Sequence, residues 1–134
     1  MFNRKSPEIN PMIAGELKDN FNESELAALT SLGTILELDA HEILATEGAV
    51  GQQAVVIVTG SAQVMRDGDT IAEVGPGTIL GESSLVTEQP RNASLVTTSP
   101  SKVVMLNRAG FDSFLEQCPR VAAEVNRLIA ERSA

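Results

Sequence analysis

The stretch "QAVVIVTGSAQVMRDGDTIAEVGPGTIL", residues 53–80, decides the fold class. Short apolar runs at 53–58, 62–65, 70–74 and 78–80 are separated by Gly60-Ser61, Asp67-Gly68 and Gly75-Pro76-Gly77, all turn formers. Asp67-Gly68 is a hairpin signal, because both central residues of the tightest hairpin turn need positive φ. Working outward, the same rhythm predicts strands near 34–38 and 42–45 on one side, and near 92–97 and 101–106 on the other. The further breaks fall at Asp39-Ala40, Gly48 to Gly51, the 81–91 stretch and Ser99-Pro100. Eight short strands at this spacing predict a sandwich, jelly roll or barrel over 34–107.

Helical signals flank the strands. Residues 1–9 are polar and predict a flexible N-terminus. Asn10-Pro11 reads as an N-cap with proline in the first turn of a short helix through Met12, Ile13 and Leu17. Asn22 with Glu25 approximates a capping box, and Phe21 and Leu26 occupy the staple positions around it. Leu26, Leu29 and Leu32 then give one apolar face, and Gly33 is placed to end that helix. N-terminal helices are therefore expected over 10–33. Asn107 can cap a helix carrying Phe111, Phe114 and Leu115, and Cys118-Pro119 breaks or restarts it. Val121, Ala122, Val125, Leu128 and Ile129 form a stripe on the last segment, so C-terminal helices are expected over 108–134. The whole is one domain, 10–134.

The chain has 134 residues, a size that fits one core. Its formal net charge of −8 disfavours a nucleic-acid backbone as partner. Trp and Tyr are absent, which removes the usual stacking platforms for single strands. No apolar run is long enough for a span, and the N-terminus lacks a signal-peptide core, so no membrane and a cytoplasmic location are expected. Cys118 is the only cysteine, which fits a reducing compartment.

Catalytic chemistry finds little support. "GESSL" lacks the second glycine of a nucleophile elbow, since Leu85 stands there, and the lone His41 lies in a turn. One His and one Cys do not make a nitrogen- or sulfur-rich metal site. "GPGTILG" has neither the lysine nor the hydroxyl of a P-loop. No catalytic residue, metal or cofactor is assigned, and the protein is expected not to be an enzyme.

The segment 81–94, "GESSLVTEQPRNAS", has a different character. Gly81 lets backbone approach a ligand closely. Ser83, Ser84 and Leu85 can form one helical turn whose free N–H groups point at an anion. Arg91 offers a fork of donors matched to two phosphate oxygens. Glu82 repels phosphate but accepts from a sugar hydroxyl. The alternative is a surface ion pair of Arg91 with Glu82 or Glu88, worth about 0–1 kcal/mol.

"GPGTILGESSLVTEQPRNASL", residues 75–95, resembles the phosphate-binding cassette of the cyclic nucleotide-binding domain family. The family pattern is approximately G-x-x-x-G-E-x-[AS]-L, a variable stretch, then P-R-x-A-[ST]. Gly77, Gly81, Glu82, Ser84, Leu85, Pro90, Arg91, Ala93 and Ser94 fall on it in register. Weaker likeness runs from about Asn22 to Ala134. The resemblance implies an α+β, mainly β fold: an eight-stranded antiparallel jelly-roll-like β-barrel with N-terminal and C-terminal helices. It implies that Glu82 takes a ribose 2′-hydroxyl, that Arg91 holds a cyclic phosphate, and that amides near Ser83, Ser84 and Ala93 complete the cradle.

Two positions depart from the pattern. Leu80 replaces a usual aromatic. Asn92 replaces a usual Ala, Ser or Thr and leaves cAMP versus cGMP open, since an amide both donates and accepts. With no Trp or Tyr, a lid over the base falls to Leu128, Ile129 or a neighbour.

The expected function is a sensor that binds cAMP in preference to cGMP. It signals through its C-terminal helices to a protein effector or, as a homodimer, to a second copy. The rivals are an interaction module without ligand, the sensor part of a transcription regulator of the catabolite activator type, and a cupin-type enzyme. The regulator carries a helix-turn-helix after the long helix, so that reading takes this chain as a fragment lacking its DNA-binding part, and the enzyme would need histidines.

Overall fold

A computed structural model describes residues 13–16, 20–45, 53–80 and 94–133. The eight expected strands are β2 (Thr34–Leu38), β3 (Ile43–Ala45), β4 (Gln53–Thr59), β5 (Ala62–Arg66), β6 (Asp69–Val74), β7 (Thr78–Leu80), β8 (Ser94–Thr97) and β9 (Ser101–Asn107). Asp67 and Gly68 take φ of 54° and 86°, the left-handed pair that joins β5 to β6.

A ninth strand corrects the sequence reading. Residues Ile13–Glu16 form strand β1, not a helix, and pair antiparallel with β7, Ile13 opposite Leu80 and Glu16 opposite Thr78. The physical reason is tertiary. An isolated short helix is marginal in water, whereas β7 has an edge that needs a partner for its backbone groups.

The strands form two sheets, ordered β1-β7-β4-β9-β2 and β3-β8-β5-β6, with every described pairing antiparallel. Among the described residues no ladder joins the sheets into a closed barrel. The fold is a two-sheet roll flanked by helices.

Strand alternation divides the core in two. Val55 and Ile57 of β4, Leu80 of β7 and Val103 of β9 face Ala62, Val64, Val74 and Leu95 of the other sheet. Ala54 and Val56, with Ile79, Val104 and Leu106, face the helices. β4 is covered on both sides, which is why it reads as an unbroken apolar run instead of an alternating one. Thr78 is a fully buried polar side chain whose Oγ1 has no hydrogen-bond partner among the described residues. Thr78→Val removes that hydroxyl at constant shape, and is expected to raise stability by about 1 kcal/mol in urea denaturation.

Helix α1 (Glu23–Leu32) starts on the expected capping box. Glu25 N donates to Asn22 Oδ1 at 2.9 Å, and Asn22 N donates to Glu25 Oε1 at 2.9 Å. Gly33 ends the helix, but its φ of −127° is extended and not left-handed. Its glycine answers to close approach: a Cβ there would lie 2.5 Å from Val104 Cγ1. Helix α2 (Arg108–Gln117) is capped by Asn107, whose Oδ1 accepts from Gly110 N at 2.7 Å. Helix α3 (Pro119–Ser133) follows after Cys118. Phe111, Phe114, Cys118, Val121 and Val125 bury against the sheet, with Phe114 tilted onto Phe21 at 6.0 Å between ring centres. The side chains of Leu128 and Ile129, named above as a lid, lie outside the described residues.

Candidate functional site

The roll has two unlike ends. At one, four connections cross between the sheets and are tied together. They are Asp39 to Glu42, Gly60-Ser61, Gly75 to Gly77, and Thr98 to Pro100. Thr97 Oγ1 donates to Asp39 O at 2.7 Å, His41 N donates to Thr97 O at 2.7 Å, and Thr98 N donates to Ser61 O at 2.9 Å. Gly60 takes φ of 95° directly against Ser101, where a Cβ would lie 2.6 Å from Ser101 Cα, so only glycine fits this corner. His41, at φ of 70°, is an exposed turn residue.

At the other end two longer segments cross. Residues 46–52 run from β3 to β4, and residues 81–93 run from β7 to β8. The candidate ligand residues Gly81, Glu82, Ser83, Ser84, Arg91, Asn92 and Ala93 belong to the second crossing and lie outside the described residues. Their anchors are well defined. Leu80 pairs with Val55 in one sheet, and Ser94 pairs with Met65 in the other. The inward residues beside these anchors are Val55, Leu80, Val64 and Leu95, all apolar and fully buried.

The described remainder offers no competing chemistry. No cluster of His, Cys, Asp or Glu able to hold a metal occurs among the described residues. Cys118 is buried, and its thiol is pushed above its ordinary range first by burial and then by the nearby Glu25 charge. It is a structural thiol, not a nucleophile. A shallow depression between Leu38, Thr59 and Ser101 lies at the tied end, and its charged lining residues are Glu37, Asp39 and Lys102, net negative.

One pair escaped the sequence reading. Arg120, in the first turn of α3, donates from Nε to Glu25 Oε2 at 3.0 Å and from Nη2 to Glu25 Oε1 at 2.6 Å. The same Nη2 donates to Asn20 O at 2.7 Å. Glu25 is only 3% exposed. The hydrogen bonds of the Arg120 guanidinium hold its carboxyl below the usual range against the opposing effect of burial, with Asn22 N assisting. The capping box marked Glu25 in the sequence. Nothing local marked a partner 95 residues away.

The sequence profile of the cyclic nucleotide-binding domain matches residues 35–118, from β2 to the end of α2. The chain belongs to the cyclic nucleotide-binding domain family. A curated relative, the Pycsar effector protein PaPycTIR of Pseudomonas aeruginosa, is 31% identical over 112 residues, covering 83% of this chain and 36% of that protein. The cyclic AMP receptor protein of Thermus thermophilus is 30% identical over 91 residues, covering 64% of this chain and 42% of the relative. The chain therefore spans well under half the length of these relatives. A structure solved in work on a cyclic-GMP-dependent signalling pathway in bacterial phytopathogenesis superposes with a TM-score of 0.69 at 27% identity, covering 85% of this chain and 94% of that one. Membership implies a cyclic nucleotide, cAMP or cGMP, as ligand. Among the described residues no helix is long and apolar enough to cross a membrane.

Proposed function

We propose that this cyclic nucleotide-binding domain is a cytoplasmic, non-catalytic sensor that takes cAMP in preference to cGMP. The observation that carries this reading is the cassette itself. Gly81, Glu82 and Ser84, then Arg91 and Ala93, stand in the family's register on the one long crossing between β7 and β8. Arg91 pairs with the cyclic phosphate, and the backbone amides near Ser83, Ser84 and Ala93 add donors without adding charge. Glu82 accepts from the ribose 2′-hydroxyl. Asn92 stands where a family hydroxyl can favour guanine; its amide leaves guanine without that hydroxyl but decides neither base by itself.

Signalling follows from differential binding. Ligand favours the state in which 81–94 is drawn onto the phosphate and α3 moves over the base, and a protein effector or a second copy reads that change. The acidic chain, net −8, supports a small anion gripped locally over a nucleic acid gripped along its length.

Glu82 provides the test of the sugar contact. Glu82→Ala should weaken cAMP about tenfold or more, the worth of one charge-assisted hydrogen bond. It should leave 2′-deoxy-cAMP almost unaffected. Equal losses for both ligands would remove Glu82 from the sugar.

A further inference from the structure

The two sheets have four edges among the described residues, and three are protected. β1 is covered by α3. β6 carries the exposed charges of Asp69 and Glu73. β3 is broken by a bulge between Ile43 and Ala45. These are the devices by which edge strands avoid pairing with other chains. β2, "TILEL", has neither a covering helix among the described residues nor a bulge, and its single charge is Glu37. It runs in unbroken register along β9, carries no lysine or proline, and leaves Ile35 45% and Leu36 36% exposed. Ile43, 68% exposed, stands just beyond the turn that leaves β2.

We infer that the β2 edge pairs with the β2 edge of a second copy of this chain, antiparallel and centred on Leu36. The segment is self-complementary in that register. Leu36 meets its own counterpart, Thr34 meets Leu38, and Ile35 meets Glu37. The two Glu37 carboxylates are thereby kept apart, and each already has Lys102 as its cross-strand neighbour on β9. Pairing about a two-fold axis uses each edge once, so assembly stops at a dimer and does not run on into a fibre. The backbone groups on the outer edge of β2, which no strand pairs among the described residues, gain partners, and the exposed leucine and isoleucine are covered. The inference uses no residue of α3 or of the 81–94 cassette, so it stands apart from the nucleotide reading.

Sedimentation of the full chain without nucleotide tests it. A concentration-dependent dimer is expected, tightening as salt screens the repulsion between two chains of net charge −8. Ile35→Lys puts a charge on the edge and should weaken the dimer roughly tenfold or more. Cysteine scanning fixes the register, because the native Cys118 is buried. Under mild oxidation Leu36→Cys should form a covalent dimer, whereas Ile35→Cys and Glu37→Cys should not. A chain that stays monomeric at every concentration and salt overturns the inference. So does a dimer indifferent to Ile35→Lys with no cross-link at position 36. A monomer whose β2 edge amides are protected from hydrogen exchange overturns it as well, by assigning the edge to another part of the same chain.

Discussion

Arg91→Ala is expected to lower cAMP affinity by about a hundredfold or more while leaving the melting temperature of the unliganded protein within a degree or two. The size follows from removing two parallel charge-assisted bonds to one phosphate, each worth about 1.5–3 kcal/mol. The selectivity follows from position. Arg91 lies on the crossing between Leu80 and Ser94, while the apolar core is built by strands and helices on either side of it. Lysine at 91 should recover only part of the affinity, since a point charge cannot reproduce the planar fork. A large fall in the melting temperature with little change in affinity would assign Arg91 to a structural ion pair with Glu82 or Glu88. Paired calorimetric and thermal-melt measurements on the same preparation separate the two.

Arg120→Ala is the second large effect, and it acts on the fold. Glu25 would keep its burial and its bond from Asn22 N but lose both guanidinium contacts. Breaking a fully buried pair costs about 3–5 kcal/mol. Arg120 is 43% exposed, so solvent screens part of the interaction and about 2 kcal/mol is expected. The pH dependence carries a sign. In the folded wild type the Glu25 carboxyl lies below its ordinary range. Its contribution is therefore fully present above that range and is lost as pH falls through the depressed folded value. In Arg120→Ala the main lowering cause is gone while burial still raises the pKa, so this acid-side loss should shrink or reverse. Urea midpoints measured from neutral pH into the carboxylate range check it. An unchanged acid limb in the variant would mean that Glu25 does not depend on Arg120.

The same pair bears on signalling. It ties the start of α1 to the first turn of α3, immediately after the Cys118 break between α2 and α3. In the proposed sensor, motion of α3 begins from a root fixed to the N-terminal helix.

What the sequence disclosed follows the reach of each interaction. The eight strands from Thr34 to Asn107 were legible because glycines, prolines and the Asp67-Gly68 pair punctuate them locally. The caps at Asn22 and Asn107 were legible because each partner is three residues away. β1 was not legible. "IAGE" has no strand alternation of its own, and only the edge of β7, more than sixty residues on, makes it a strand. Gly33 was placed correctly for an incomplete reason, since the constraint is the approach of Val104 and not a left-handed turn. Arg120 gave no local signal because its partner Glu25 lies at the far end of the chain. The cassette was legible as a pattern of residue types. The ligand contacts proposed for it rest on residues outside the described ones, and no local pattern encodes how such a segment meets a ligand.

Calorimetric titration of the purified chain with cAMP, cGMP and AMP tests the central claim most directly. Saturable binding of one cAMP per chain, weaker binding of cGMP and no heat with AMP are predicted, with a melting temperature that climbs with cAMP concentration. Absence of heat and of any melting shift at millimolar cAMP and cGMP would contradict the sensor reading and leave a domain that keeps the fold without the ligand.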